Sequence, residues 1–67
     1  MTFRELRQRA GLSQVEAGRL LNVAQQTICH WEIGKSSPWQ KYYRDIQRVY
    51  GCTMLELAMA LEESKQQ

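Results

Sequence analysis

The sequence predicts an all-α protein of five short helices. Apolar residues recur at three- and four-residue intervals in almost every segment, and no segment alternates like a strand. Four Ser or Thr residues each stand three positions before Glu or Gln, the spacing of the capping box that opens a helix. Gly11, Gly34 and Gly51 stand where helices have to end, because glycine adopts the left-handed conformation of a helix C-terminus without strain.

The first two helices are bounded by clear signals. Helix 1 spans residues 2–10 and starts with the box of Thr2 and Glu5. Helix 2 spans residues 13–21 and starts with the box of Ser13 and Glu16. It ends at Asn22, a residue type that tolerates positive φ better than most.

Helix 3 spans residues 24–32 and starts without a hydroxyl cap. Ala24 stands at its first position, followed by two long amides, Gln25 and Gln26. Since Ser, Thr, Asp and Asn are the residues that usually satisfy the first backbone N–H groups of a helix, this start is unusual within the chain. A special role for the two glutamines would explain it.

Helices 4 and 5 again start with boxes. Helix 4 spans residues 38–50, with the box of Ser37 and Gln40 and with Pro38 at the first helical position, where no N–H is needed. Helix 5 spans residues 53–63 and starts with the box of Thr53 and Glu56. Residues 1–63 are therefore expected to form one domain, followed by a polar C-terminal tail at 64–67.

The apolar faces of these helices predict the core. Trp39, Tyr42 and Tyr43 are expected to pack rather than to serve as stacking platforms for single strands. The predicted core consists of Phe3, Leu6, Ala10, Leu12, Ala17, Leu20, Leu21, Val23, Ile28, Trp31, Tyr43, Ile46, Val49, Tyr50, Met54, Leu57, Ala58 and Leu61.

Composition excludes several classes of protein. A chain of 67 residues with 43% hydrophobic and 24% charged residues is typical of one small soluble domain. No apolar run approaches the ~18 residues of a membrane span, and the charged N-terminal segment lacks the apolar core of a signal peptide, which predicts a cytoplasmic protein. Cys29, His30 and Cys52 have no metal-ligand spacing, and no disulfide is expected. We therefore expect no metal, no cofactor and no small-molecule ligand.

Enzyme activity is not expected either. Cys29 and His30 could in principle form a nucleophile and its base, but adjacent helical residues point about 100° apart and no third group orients the imidazole.

The distribution of charge along the chain indicates a polyanionic partner. Residues 1–51 carry eight Lys or Arg against four acidic residues, whereas residues 52–67 carry one Lys against three Glu.

Helices 2 and 3 have the features of a helix-turn-helix. Both are short, and a tight turn around Asn22 joins them. Gly18 lies in the middle of helix 2, where glycine costs about 1 kcal/mol relative to Ala. A close crossing of the two helices, with no room for a side chain, would explain it. The motif spans about residues 13–32.

A family resemblance follows from this segment. The stretch LSQVEAGRLLNVAQQTICHWEIGK resembles the lambda-repressor-like (Cro or XRE) family of helix-turn-helix DNA-binding proteins. The resemblance covers about residues 3–61. Asn22 replaces the usual turn glycine, Gly18 and Ala24 replace the usual Ala and Ser or Thr, and Gln40 and Gln47 stand where apolar residues are common. Matching positions are Leu12, Ser13, Gln14, Val23, Thr27, Ile28, Trp31, Glu32, Gly34 and Lys35.

The resemblance implies a salt bridge and a base-reading face. Arg7 and Glu32 match the pair that forms a buried salt bridge in that family. The alternative is an ion pair at the surface, which would contribute little to stability. On a helical wheel, Ile28 and Trp31 face inward. The outward face carries no charged residue, whereas solvated helix faces usually do. Gln side chains on this face can pair with adenine or donate to guanine. The expected base-reading residues are Ala24, Gln25, Gln26, Cys29 and His30.

Further residues are expected to position the protein on the phosphate backbone without reading sequence. Lys41 and Arg44 are as well explained by an ordinary solvated surface. The expected phosphate contacts are Gln14, Thr27, Lys35, Ser36, Lys41 and Arg44.

Leu55 and Met59 form an i, i+4 stripe on helix 5 that is either ordinary apolar surface or a self-association edge.

The function that these features imply is a sequence-specific double-stranded DNA-binding transcriptional regulator. The resemblance implies a small Cro-type repressor of a bacterium or phage, bound as a homodimer to a palindromic operator with half-sites about one turn (~34 Å) apart. We expect it to be cytoplasmic and associated with the nucleoid. A protein-interaction or antitoxin module on the same fold is the alternative, and a Cys–His enzyme is a third.

Overall fold

The computed structural model describes residues 1–65, and this part of the chain forms five α-helices. No strand occurs among the described residues, so the all-α, five-helix prediction is confirmed. The Cα radius of gyration is 10.3 Å, close to the ~11 Å expected of a compact chain of this length. The helices are α1 (Phe3–Arg9), α2 (Gln14–Leu21), α3 (Gln25–Ile33), α4 (Tyr43–Tyr50) and α5 (Met54–Lys65), with a short 3-10 turn (Gln40–Tyr42) before α4.

Three of the four capping boxes form. In the first two boxes, Thr2 and Ser13 accept from the backbone N–H three residues on, and the Glu at that position accepts from the N-cap N–H. The Thr53 N–H likewise donates to Glu56 Oε1 at 3.0 Å, and the Glu56 N–H donates to Thr53 Oγ1 at 3.1 Å. The sequence signals therefore mark the starts of α1, α2 and α5 correctly.

The start predicted for helix 4 is wrong. Trp39 is extended (φ −72°, ψ 156°), and the chain then makes the 3-10 turn before α4 begins at Tyr43. Pro38 is buried, and it holds an extended segment against the domain instead of opening a helix. Gln40 is consequently the first residue of the turn rather than the third of a helix, so the box with Ser37 does not form.

The core is centred where all five helices meet, but α5 buries a different stripe from the predicted one. Leu57 and Ala60 face the core and Leu61 packs against it, whereas Met54 and Ala58 are exposed. Leu20 on α2 is exposed as well, while Trp39, expected to pack, is 76% exposed. The buried apolar side chains are Phe3, Leu6, Ala17, Leu21, Ile28, Trp31, Ile46, Tyr50, Cys52, Leu57 and Ala60.

Two side-chain contacts hold α5 in its rotation about the helix axis. At its start, Arg9 donates to both carboxylate oxygens of Glu56, at 2.6 and 2.9 Å. Near its end, the buried Ser64 hydroxyl donates to the Trp31 carbonyl at 3.3 Å. Ser64 therefore belongs to the packed domain rather than to a polar tail, and α5 continues to Lys65; the last two residues of the predicted tail, 66 and 67, lie outside the described part of the chain.

The crossing of α2 and α3 is close, as the glycine in α2 suggested. A Cβ on Gly18 would lie 2.7 Å from the carbonyl oxygen of Val23, a backbone atom of the turn. Asn22 takes the left-handed conformation (φ 59°, ψ 43°) that lets the chain reverse within this turn. These two residues set how α3 is presented. No helix among the described residues is long and apolar enough to cross a membrane.

Candidate nucleic-acid interface

The two sides of α3 differ sharply in burial. Ile28, Trp31 and Glu32 are buried, and the rings of Phe3 and Tyr42 pack against Trp31 at centroid distances of 6.5 and 5.7 Å. These contacts anchor the inner side of the helix. The other side carries the residues expected to read bases: Ala24, Gln25 and Gln26 are exposed, and Cys29 and His30 are partly exposed.

The start of α3 is open. Ala24 is extended (ψ 152°), and its side chain caps none of the first N–H groups of the helix. No acidic residue stands in the first turn. The positive end of the helix dipole and the exposed amides of Gln25 and Gln26 therefore lie together at one edge of the domain.

Behind this face, Glu32 is the centre of a buried ionic network. Its side chain is 1% exposed. Arg7 binds it through two nitrogens, with Nε–Oε2 at 2.6 Å and Nη2–Oε1 at 3.2 Å. A third Arg7 nitrogen donates to the Leu12 carbonyl at 2.9 Å. The structure therefore contains the Arg7–Glu32 pair in a buried rather than a surface setting, and it ties α1 to the end of α3.

Two further donors complete the network. Gln14 Nε2 donates to Glu32 Oε1 at 3.1 Å, and Arg4 Nε lies 3.5 Å from the same oxygen. Burial raises the pKa of Glu32, but the hydrogen bonds from Arg7 and Gln14 outweigh burial, and the pKa lies below its ordinary value. The carboxylate is consequently ionised at neutral pH. Sequence reasoning missed Arg4, although its place three residues before Arg7 on the same helix is a signal that could have found it.

Gln14 connects this network to the exposed face. Its carbonyl oxygen accepts from Gln25 Nε2 at 3.5 Å, a long contact, while its amide nitrogen is bound to Glu32. Gln14 was expected only as a phosphate contact at the start of α2. The structure gives it a second role as a bridge between the buried carboxylate and the first residue of α3.

The other expected phosphate contacts lie around the end of α3 and the beginning of α4. Lys35 and Ser36 are exposed in the loop after α3, and their N–H groups donate to the His30 carbonyl at 2.9 and 3.3 Å. Lys41 is exposed with its ammonium 5.2 Å from the centre of the Tyr42 ring. The remaining two are Thr27, partly exposed in α3, and Arg44, exposed in α4.

The stripe on α5 is strongly exposed. Leu55 and Met59 are 70% and 43% exposed, and a shallow depression beside Met59 is lined by Ala58, Glu62 and Glu63. Among the described residues, no three His, Cys, Asp or Glu side chains are grouped so that they could hold a metal ion.

Comparison with known proteins adds the family. A family model described as Helix-turn-helix matches residues 3–66. Neither the comparison with curated proteins nor the comparison with solved structures found a match. The family consists of DNA-binding regulatory domains and is not a family of enzymes. From the match over nearly its whole length and from the helical fold, the chain belongs to the Cro/C1-type helix-turn-helix family of DNA-binding regulators.

Proposed function

We propose that the protein is a sequence-specific transcriptional repressor that reads the major groove of double-stranded DNA with α3. The observation that carries the proposal is the outward side of α3, which is neutral and rich in amides, and which stands on a helix anchored by buried aromatic rings and a buried ion pair. An α-helix fits the major groove, and side-chain amides match the hydrogen-bonding edges of base pairs there.

The residues on this side of α3 would make different kinds of contact with the bases. Gln25 and Gln26 are exposed and long enough to form paired hydrogen bonds with a base edge. His30, one turn further along, would donate to guanine or to a phosphate. The Ala24 methyl and the Cys29 side chain would contact thymine methyl groups.

A separate set of residues would hold the phosphate backbone on both flanks of the groove. Such contacts position the protein and carry no sequence information. Gln14 and the first N–H groups of α2 would serve one flank, because the N-terminus of a helix attracts anions. The other flank would be served by Thr27, Lys35, Ser36, Lys41 and Arg44.

Random-library selection of bound DNA tests the proposal. We expect a recovered motif, and we expect Gln25→Ala and Gln26→Ala each to cost ~1–3 kcal/mol and to relax one or two base pairs. Lys35→Ala should weaken all sequences alike and reduce the salt slope by about 1. Gln8→Ala, at an exposed position of α1, is the matched control. If no motif is recovered, the fold serves another purpose, and a protein-interaction or antitoxin module becomes the better explanation.

A second part of the proposal is pairing through α5. The exposed Leu55 and Met59 would contact the same residues of a second copy, so that two α3 helices meet a palindromic operator with half-sites ~34 Å apart. The Cα extents of 26 × 23 × 22 Å allow two adjoining copies to span such a site. Repression would then follow from occlusion of a promoter, and the protein would act in the cytoplasm at the nucleoid.

Sedimentation equilibrium tests the pairing. We expect the double variant Leu55→Glu/Met59→Glu to be monomeric at concentrations where the unaltered protein is a dimer, with unchanged helical circular dichroism. Leu20→Glu, at an exposed leucine of α2, controls for the loss of an apolar side chain elsewhere. A double variant that remains dimeric would exclude this surface as the dimer contact.

A further inference from the structure

The last residue of α3 is an exposed isoleucine that makes none of the contacts proposed for this helix. Ile33 is 49% exposed, and it stands directly before Gly34, whose left-handed conformation (φ 79°) ends the helix. The N–H of Lys35 donates to the His30 carbonyl at 2.9 Å and closes this end. A branched apolar side chain is therefore held at a defined place on the surface.

Ile33 lies on the same side of α3 as the expected base-reading residues. On a helical wheel it falls between Cys29 and Gln26, about 160° from the buried Trp31. It is four residues after Cys29 and three after His30, so it extends the exposed side by one turn. An isolated exposed apolar residue is ordinary on a protein surface, but this one stands on the side proposed to face DNA.

The surroundings of Ile33 are compatible with a DNA strand. A depression beside it is lined by Thr2, Arg4 and Glu32. The Glu32 side chain is 1% exposed and is bound by Arg7, whereas the Arg4 side chain is 59% exposed, with its Nε 3.5 Å from Glu32 Oε1. DNA at this place would therefore meet an apolar side chain and a cation, and the carboxylate behind them is already neutralised.

The chemistry of the major groove limits what an isoleucine can recognise there. Base edges present hydrogen-bond donors and acceptors, and their apolar group is the C5 methyl of thymine. Ile33 can use only the latter, and its branched side chain loses little rotamer freedom on contact. At 1.5 Å per residue it lies about 12 Å along the axis from Gln25, which is at most about four base steps of ~3.4 Å.

We propose that Ile33 is a further specificity-determining residue, whose side chain contacts the methyl group of one thymine within about four base pairs of the pair read by Gln25. The inference rests on the proposed function, because it requires α3 in the major groove. It adds an apolar contact at the end of α3 to those proposed for Ala24 and Cys29 near its start and middle.

Replacing single thymines of the selected operator by deoxyuridine tests the contact, because uracil lacks only the C5 methyl group and still pairs with adenine. Affinity for each substituted operator is measured by competition binding. For the unaltered protein we expect one thymine in each half-site at which uracil lowers the affinity about three- to tenfold, as expected for the loss of one buried methyl group. In Ile33→Ala, the ratio of thymine to uracil affinity at that position should fall to about one, while the other positions keep their ratios.

Matched variants separate this contact from a general loss of apolar surface. Ile33→Val keeps the branched methyl groups and should retain most of the uracil effect, whereas Ile33→Gln should lose it as Ile33→Ala does. Leu20→Ala, which shortens an exposed leucine of α2, should leave the effect unchanged. Thermal melts should show all four variants folded, because both positions are exposed and alanine favours the helix.

Two results would overturn the inference. The first is that no uracil substitution has an effect that depends on Ile33. The second is that Ile33→Ala weakens the thymine and uracil operators equally at every position, which would place Ile33 against the sugar–phosphate backbone.

Failure of the proposed function gives a different result. If selection recovers no motif, or if Gln25→Ala and Gln26→Ala bind every sequence like the unaltered protein, base reading by α3 fails and this inference fails with it. If the glutamine variants lose base preference but every uracil effect is independent of Ile33, only the inference fails.

Discussion

Replacing Arg7 with Met removes the main partner of a buried carboxylate while keeping most of the apolar stem. The Arg7 side chain is 12% exposed and that of Glu32 is 1% exposed, so the pair is shielded from water on both sides. Breaking a buried pair by removing one partner costs about 3–5 kcal/mol, because the remaining charge is left uncompensated. The Leu12 carbonyl also loses a donor, worth about 1 kcal/mol.

Two contacts moderate this cost. Gln14 remains hydrogen-bonded to Glu32 Oε1, and Arg4, with a 59% exposed side chain, lies 3.5 Å from the same oxygen. We therefore expect Arg7→Met to lower the free energy of unfolding by about 3–4 kcal/mol, within the range for broken buried pairs. At about 0.05–0.15 kcal/mol per residue, the whole domain has only about 3–10 kcal/mol. The variant should therefore lose a large part of the stability of the domain.

Urea unfolding followed by tryptophan fluorescence measures the effect. Trp31 is 3% exposed and reports on the core, whereas Trp39 is 76% exposed and would add an insensitive background. The experiment is therefore made in a Trp39→Phe background. A double variant, Arg7→Met/Glu32→Leu, should recover much of the loss, because no charge is then left buried without a partner. A loss below about 1 kcal/mol for Arg7→Met would show that the pair behaves like a surface ion pair.

Three other predictions follow from single contacts. Gly18→Ala should destabilise the protein by about 1–2 kcal/mol in urea unfolding, because the new Cβ meets the Val23 carbonyl at 2.7 Å and this overpacking outweighs the helix propensity that is gained; an equal or higher midpoint would mean that the turn yields easily. Hydrogen bonding to Arg9 lowers the pKa of Glu56 to about 2, so the stability from this pair is present above the ordinary pKa of 4.5 and is lost as the pH falls toward about 2. Glu56→Gln should accordingly flatten the acid branch of the stability–pH curve, and an unchanged branch would contradict the assignment. On addition of the selected operator, the exposed Trp39 should account for the change in fluorescence, because it lies between Lys35 and Lys41 in the proposed phosphate contact, and the same change in Trp39→Phe would place this loop away from DNA.

The ionic network extends across the helix-turn-helix. Glu32 lies one residue from the end of α3, and Gln14 is the first residue of α2, so their hydrogen bond joins the two helices of the motif.

Local signals account for what the sequence determined by itself. The boxes at Thr2, Ser13 and Thr53 mark helix starts, and Asn22, Gly34 and Gly51 mark helix ends in the left-handed conformation. These interactions join residues at most a few positions apart, so the order of residues is sufficient to predict them. The inward and outward sides of α3 follow from helical periodicity in the same way, and the family resemblance rests on this local pattern.

The tertiary structure decided the features that depend on distant residues. Pro38 opens no helix because it is buried in an extended segment, and α5 buries Ala60 instead of Ala58 because Arg9 and Trp31 hold its two ends. The sequence predicts Gln14 only as a phosphate contact, and only folding brings it between Glu32 and Gln25. The physical reason is that hydrogen bonds and packing between residues far apart in sequence set helix rotation and side-chain direction, which local propensity leaves open.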